Sequence, residues 1–386
     1  MVLTLTIYRK GNWIMSNVVL PDNFSSYPAV YAVGNEYQIF IVVNSETLVW
    51  AQVGSEEYFD DSNGILRSGS DTHKIVVPME ELDKAGSYTI KFRRVQERLP
   101  YFSKTGEVES VTFPFRPVPE TDIHIYHLAD THNKVDLPVK TAGFFKDKLD
   151  LLILNGDIPD HSGEIKNFMT IHEIAGKVTC GEIPTVYSRG NHDLRGNHAE
   201  DLATYTPNRS GNSFYTFRLG PIWGILVDCG EDKDDSHAAY GNTNCCHAFR
   251  KRETKYIKEV IRNAEKEYAA DGVKYKMVIS HVPFSHIQEE PFDIEQEIYA
   301  EWCSLLKENV KPHVMLSGHL HKAFVSPCGG KYDQLGQPCP LVVGSRVNGK
   351  EPDKFGGAAL TLKDKEILVQ LSDQDHVVFE EATLPM

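Results

Sequence analysis

An α/β fold with largely parallel strands is predicted for residues 120–386, preceded by an all-β domain over residues 1–119. Three observations predict it. Up to about residue 118, short runs of β-branched and aromatic residues are separated by turn signals. Beyond that point, apolar runs alternate with segments of helical period, the pattern of strands joined by helices. Between the two lies FRPVPETD, where Pro117 and Pro119 disfavour helix and bias their predecessors to extended backbone, so the stretch reads as a linker.

In the first part the strand candidates are YQIFIVV (37–43), TLVWAQV (47–53), HKIVVPM (73–79), SYTIKFRRV (87–95) and SVTFPF (110–115), bounded by clusters such as DDSNG and DKAGS. That spacing predicts a sandwich of about 100 residues. AGSYTIKF resembles the penultimate-strand region of immunoglobulin and fibronectin type III modules. No His, Cys or carboxylate cluster of catalytic spacing occurs here, so a docking or helper role is expected. In the second part the runs are IHIYHLA (123–129), LLILN (151–155), IPTVY (183–187), WGILVDC (223–229), KMVIS (276–280) and HVMLS (313–317). Phe249, Tyr256, Ile257, Val260, Ile261, Ala264 and Tyr268 share one helical stripe over 249–268, whose FRKRETK start reads as solvated. GGAALTLKDKEILVQLS (356–372) reads as a hairpin turning at KDKE.

With 41% hydrophobic and 10% aromatic residues the chain can build real cores. Its net charge of -14, from 40 basic and 54 acidic residues, disfavours long nucleic acid and anionic membranes as partners. The N-terminus lacks a basic stretch followed by a sustained apolar core, so no signal peptide is expected. Seven cysteines without a C-x-x-C pair favour a reducing, cytoplasmic setting, with vicinal Cys245 and Cys246 as unpaired thiols.

The ends of the apolar runs carry the chemistry. The first leads to Asp130 and His132, the second to Gly156, Asp157 and Asp160, and the third to Gly190, Asn191, His192 and Asp193. KMVIS leads to His281, and HVMLS to Gly318, His319 and His321. Ligand sites in open α/β sheets form beyond the carboxyl ends of strands, so five such ends predict one convergent site. Asp130 and His132 are two apart, as are His319 and His321; in extended backbone each pair would point to one side. The glycines allow sharp turns and close approach. Imidazole, carboxylate and amide donors without cysteine suit Mn, Fe, Zn or Co.

The blocks DTH, GDIPD, GNHD, SHVP and GHLH, in that order over about 200 residues, resemble the calcineurin-like metallophosphoesterases, whose pattern is D-x-H, G-D-x-x-D, G-N-H-D/E, a lone His and G-H-x-H. The resemblance implies a β-sandwich flanked by helices and a centre of two divalent or mixed-valence ions (Mn, Fe or Zn). Asp130, His132, Asp157 and His321 would hold one ion, and Asp157, Asn191, His281 and His319 the other. His192 would stabilise the phosphoryl group and protonate the leaving oxygen. Asp193 would join it in the catalytic set as an orienting carboxylate, and Asp160 would orient neighbouring groups. The implied reaction is hydrolysis by metal-activated water without a covalent intermediate. A β-sandwich before such a domain is similar to the domain order of purple acid phosphatases. Those carry D-x-G and G-D-x-x-Y, where this chain has His132 and Asp160, so no tyrosinate colour is expected.

Two carboxylates against two ions leave the site at about +2, enough to bind phosphate in an acidic protein. The substrate expected is a small phosphomonoester or phosphodiester. A nucleotide phosphodiesterase, pyrophosphatase or nuclease shares the same core, and a non-catalytic scaffold should have lost ligands that this chain retains. Arg195, His237 and Tyr240 are candidate substrate contacts, the last two on the long segment 228–249. Arg189 reads as a structural pair.

Overall fold

The computed structural model describes residues 16–348 and 353–386; the reading of the N-terminus above falls partly on residues 1–15, outside the described part. Two large sheets face one another. The first has nine strands, in the order Val378–Pro385, Glu366–Asp373, Gly356–Lys363, Ile123–Leu128, Leu151–Asn155, Thr185–Ser188, Ala29–Val33, Glu36–Val42 and Thr72–Pro78. The second has six: Tyr215–Leu219, Ile222–Leu226, Tyr275–Ile279, Val314–Ser317, Leu341–Asn348 and Lys322–Ser326. Each contains three consecutive parallel strands that match predicted apolar runs.

Successive strand residues point to opposite faces, and here both faces are covered. Ile125, Leu151, Ile153 and Val186 of the first sheet share a core with Met277, Ile279, Val314 and Leu316 of the second. Their neighbours Tyr126, Leu152, Leu154 and Tyr187 pack on Phe168, Ile171 and Ile174 of the helix Ile165–Thr179. Beyond the second sheet, Trp223, Ile225, Val278 and Met315 meet Ile257 and Val260 of the helix Cys246–Arg262 and Trp302 of Gln296–Leu305. The layers therefore run helix, sheet, sheet, helix, and LLILN needs no polar alternation because it is buried on both sides.

The described strands before residue 120 belong to three sheets, the smallest being the pair Asp61–Ser62 and Ile65–Leu66. Thr47–Val53, Glu56–Phe59, Ser87–Glu97 and Glu109–Pro114 form an antiparallel sheet of their own with Lys104–Thr105 on its edge. Ala29–Val33, Glu36–Val42 and Thr72–Pro78 instead extend the nine-stranded sheet, Tyr31 pairing with Thr185 in parallel. The expected boundary at 119/120 consequently divides no core: Val30, Ile39, Tyr88 and Phe113 lie in the same buried cluster as Ile153 and Met277. The joining strand, AVYAV between Pro28 and Gly34, is buried at all five positions and absent from the predicted set.

The helix predicted over 249–268 spans Cys246–Arg262. Its charged start is not solvated throughout: Arg250 and Glu253 are each 1% exposed. Arg250 donates to the carbonyls of Cys229 (2.7 Å) and Glu231 (2.5 Å), and Glu253 accepts the Asp228 N–H at 2.9 Å. The charges face inward because the loop after Ile222–Leu226 offers them backbone partners. The hairpin at KDKE forms, with Lys363 opposite Glu366.

Candidate metal centre

The five strand ends converge. Asp130 and His132 follow Leu128, Asp157 follows Asn155, and Asn191 to Asp193 follow Ser188, all from the first sheet. His281 follows Ile279, and His319 and His321 follow Ser317, from the second. The site therefore straddles the carboxyl ends of parallel strands in both sheets. Potential ligand atoms of Asp130, His132 and His321 lie within 4.8 Å of one another, and the same holds for Asp157, His281 and His319, and for His132, Asp157 and His192.

The i, i+2 pairs converge for a different reason from the one expected. The strands stop at Leu128 and Ser317, and Asp130 (φ 55°), His132 (44°), His319 (66°) and His321 (50°) all lie in the left-handed region, as does Asp157 (52°). Such backbone costs a non-glycine residue on the order of 1–3 kcal/mol. Hydrogen bonds between the loops hold it: the Asp130 N–H donates to Gly156 O (3.1 Å), the His132 N–H to Asp157 O (3.0 Å) and the His319 N–H to Asp130 Oδ2 (3.0 Å). Close approach explains Gly190, where a Cβ would sit 2.3 Å from Asp157 N.

Asp130 and Asp157 are 0% and 1% exposed. Burial alone would neutralise them, but the hydrogen bond from His321 and the charge of His281 hold Asp130 down at about 2, and His281 holds Asp157 low as well. Conversely, burial disfavours a charged His281, yet Asp157 pushes it up to about 10. Burial and His281 together lower His319 to about 4.

Ligand-type nitrogen and oxygen atoms crowd together here. His132 Nε2 and His321 Nε2 are 3.2 Å apart, and His321 Nε2 is 3.3 Å from Asp130 Oδ1. His281 Nε2 lies 3.1 Å from Asp157 Oδ2 but outside hydrogen-bond geometry. His319 Nδ1 is 3.0 Å from Asn191 Oδ1. Neighbouring ligands on one ion with metal–nitrogen bonds of about 2 Å are spaced in this way. The far ring nitrogens are tied down as metal-binding imidazoles usually are: His281 Nδ1 to Asn155 O (2.7 Å) and His132 Nδ1 to Asp160 Oδ1 (3.0 Å). The residues present fit metal cations.

His192 stands beside this cluster, its ring centroid 4.5 Å from that of His132. Its Nδ1 is 2.7 Å from Asp160 O, a carbonyl that can only accept, so Nδ1 carries hydrogen and Nε2 accepts from Arg195 Nη1 at 2.7 Å. Its backbone N–H donates to Asp157 Oδ1 at 2.8 Å. Asp193 is fully buried and accepts from the N–H groups of Asp157 and Gly190, each at 3.0 Å, and from the Tyr187 hydroxyl. Burial and the Asp157 charge push it up to about 7. Its oxygens are taken by the scaffold, so Asp193 ties the Asp157 and Gly190 loops together.

Arg195 joins the cluster through His192, but its other donors go to Glu231 and Asp232. Tyr240 donates to the same two carboxylates at 3.1 and 2.9 Å, one step from the histidines. His237 accepts the Ala239 N–H at 3.2 Å, capping the turn Ala238–Tyr240, and its ring packs toward Tyr240. Arg189 pairs with Asp228 at 2.6 Å. Glu231 and Asp232, 2% and 8% exposed, were not singled out from the sequence. A signal existed, since they follow the predicted run WGILVDC just as the other site residues follow theirs.

Comparison with known proteins agrees. The model of the calcineurin-like phosphoesterase family matches residues 123–323, just over half of the chain. Among solved structures, the purple acid phosphatase PPD1 from yellow lupin seeds superposes with a TM-score of 0.58 at 14% identity, over 93% of this chain and 74% of that one. PhoD superposes with a TM-score of 0.55 at 14% identity, over 91% of this chain and 87% of its own. At that identity they show the shared fold alone. No curated protein matches the sequence significantly. With five motif blocks converging on one cation-ready cluster, the chain belongs to the calcineurin-like phosphoesterase family and is a metal-dependent phosphoesterase.

Proposed function

We propose that this protein hydrolyses small phosphomonoesters or phosphodiesters at a dinuclear centre, with Asp130, His132, Asp157 and His321 around one ion and Asp157, Asn191, His281 and His319 around the other. The observation that carries this is the facing of His132 Nε2 on His321 Nε2 and of His281 Nε2 on Asp157 Oδ2, next to two buried ionised carboxylates. Two such ions supply Lewis acidity that polarises the phosphoryl group and activates a water. The chain's own residues do the rest. Asp157 lies between the two groups of ligands and accepts the His192 N–H, fixing His192 relative to both. Asp160 holds His132 through its carboxylate and His192 through its carbonyl. His192 Nε2, the ring nitrogen not tied to the backbone, donates to the phosphoryl group and the leaving oxygen only once it is protonated.

Mn, Fe or Zn fits the donor set. The seven cysteines are unpaired, which supports a reducing, cytoplasmic setting; among the described residues no helix is long and apolar enough to cross a membrane. The test is hydrolysis of nitrophenyl phosphate and bis-nitrophenyl phosphate by chelator-stripped protein refilled with each metal. Metal-dependent turnover is expected, and the ratio of the two rates assigns the ester class. No turnover with any metal, in protein that has taken up ions, contradicts the reading.

A further inference from the structure

Glu231 and Asp232 pose an electrostatic question. A site that must attract a phosphate has two nearly buried carboxylates at its edge, and buried charges are retained only when paired. Their partners answer it. The Arg195 Nε–H donates to Glu231 Oε1 at 3.0 Å, and Nη2 donates to Glu231 Oε2 (3.0 Å) and Asp232 Oδ1 (3.2 Å). Nη1 is left to reach His192. Lys233 Nζ donates to Asp232 Oδ1 at 2.6 Å, so two carboxylates face two cations and the edge is not repulsive. The pair is itself anchored: Arg250 donates to the Glu231 carbonyl, and the Tyr240 hydroxyl spans both carboxylates. The Glu231 fork fixes the plane of the guanidinium, so its side-chain entropy is lost on folding rather than on binding.

Asp232 has a second function. Its Oδ2 receives Asn191 Nδ2 at 3.4 Å. The two ends of an amide are nearly isosteric, and this contact turns the nitrogen away and leaves Asn191 Oδ1 facing His319. One carboxylate thus touches both a proposed metal ligand and the arginine beside His192.

We propose that Glu231 and Asp232 are positioning residues of a phosphoryl-binding arm: Glu231 holds Arg195 against His192 so that both meet the phosphoryl group, and Asp232 sets the Asn191 amide with its oxygen toward the second ion. This rests on the hydrolase reading above and adds the arm that grips the substrate.

The test uses full-length protein refilled with Mn, with ions per chain measured after dialysis and inorganic phosphate binding measured by calorimetry beside KM and kcat. Glu231→Gln should keep two ions and bind phosphate about tenfold more weakly, the scale of one lost charged hydrogen bond. Arg195→Met should weaken it at least as much, and the double variant no further. Asp232→Asn should bind the second ion about tenfold or more weakly. If Glu231→Gln does not fold, Arg195→Lys keeps the charge but not the fork and should lose phosphate affinity as Arg195→Met does. Parental phosphate affinity in Glu231→Gln or Arg195→Lys, additive losses in the double variant, or parental Mn affinity in Asp232→Asn overturns the proposal. If the refilled parent neither binds phosphate nor turns over, the hydrolase reading fails and the arm with it. A fully active parent with unaffected variants sinks the arm alone.

Discussion

The Asp193 carboxylate accepts the backbone N–H of Asp157 at 3.0 Å, with the Gly190 N–H on the same oxygen and the Tyr187 hydroxyl on the other. One buried side chain thereby joins the loops that present Asp157 and Asn191. Asp193→Ala strands these donors in a dry interior and should cost about 2–4 kcal/mol in urea unfolding. Metal affinity should fall with it. Asp193→Asn keeps an acceptor and should be milder. Parental stability and metal content in the alanine variant would show that the tie is idle.

His192 sits on the metal cluster's flank, held through Asp157 and Asp160, and no proposed coordination site depends on it. His192→Ala should therefore retain both ions while lowering kcat roughly 10²–10⁴-fold, the usual worth of a general acid. The loss should be largest for poor leaving groups. An unchanged rate with a poor leaving group would remove His192 from proton transfer.

The segment before residue 120 is built into the catalytic core. Ala29–Val33 pairs with Thr185–Ser188, the Tyr88 hydroxyl donates to Gly181 O at 2.9 Å, and a Cβ on Gly176 would meet Tyr27 O at 2.3 Å. Urea should unfold the whole chain in one transition, and a 120–386 fragment should show no cooperative unfolding. Two separated transitions, or a stable fragment, would contradict this coupling.

His172 is buried between sheet and helix, its ring stacked 4.5 Å from Phe40. Nε2–H donates to Tyr205 O at 2.8 Å, and Nδ1 accepts from Tyr31 at 3.0 Å. Burial lowers its pKa from 6.5 to about 4. Between those values the unfolded chain binds the proton and the folded chain does not, so stability falls as pH drops from about 6.5 toward 4. The slope is up to about 1.4 kcal/mol per pH unit, or on the order of 2–3 kcal/mol in all. In urea titrations at pH 7, 6 and 5, His172→Phe should show a flatter dependence than the parent. An identical slope would rule out this histidine as the source.

The site was legible because each of five apolar runs ends in chemistry-bearing residues, a pattern that survives whatever the loops do. Their backbone was not. Left-handed φ at Asp130, His132, Asp157, His319 and His321 is imposed by hydrogen bonds between loops distant in sequence, so no local propensity encodes it. Ala29–Val33 escaped prediction because its position in the nine-stranded sheet is decided by pairing with Thr185, over 150 residues away. Arg250 and Glu253 look like a solvated helix start until the Cys229–Asp232 loop folds over them. Glu231 and Asp232 were missed within an acidic stretch whose composition suggests only a rim.

The most direct test of the central claim is a Mn titration of chelator-stripped protein, following bound metal and nitrophenyl phosphate turnover together, in the parent and in Asn191→Ala. In the parent, two ions should bind per chain and turnover should rise with the second. In Asn191→Ala, the second ion should bind more weakly and turnover should shift with it. Full turnover at one equivalent, or an Asn191→Ala titration identical to the parent's, would contradict a dinuclear centre built from these seven residues.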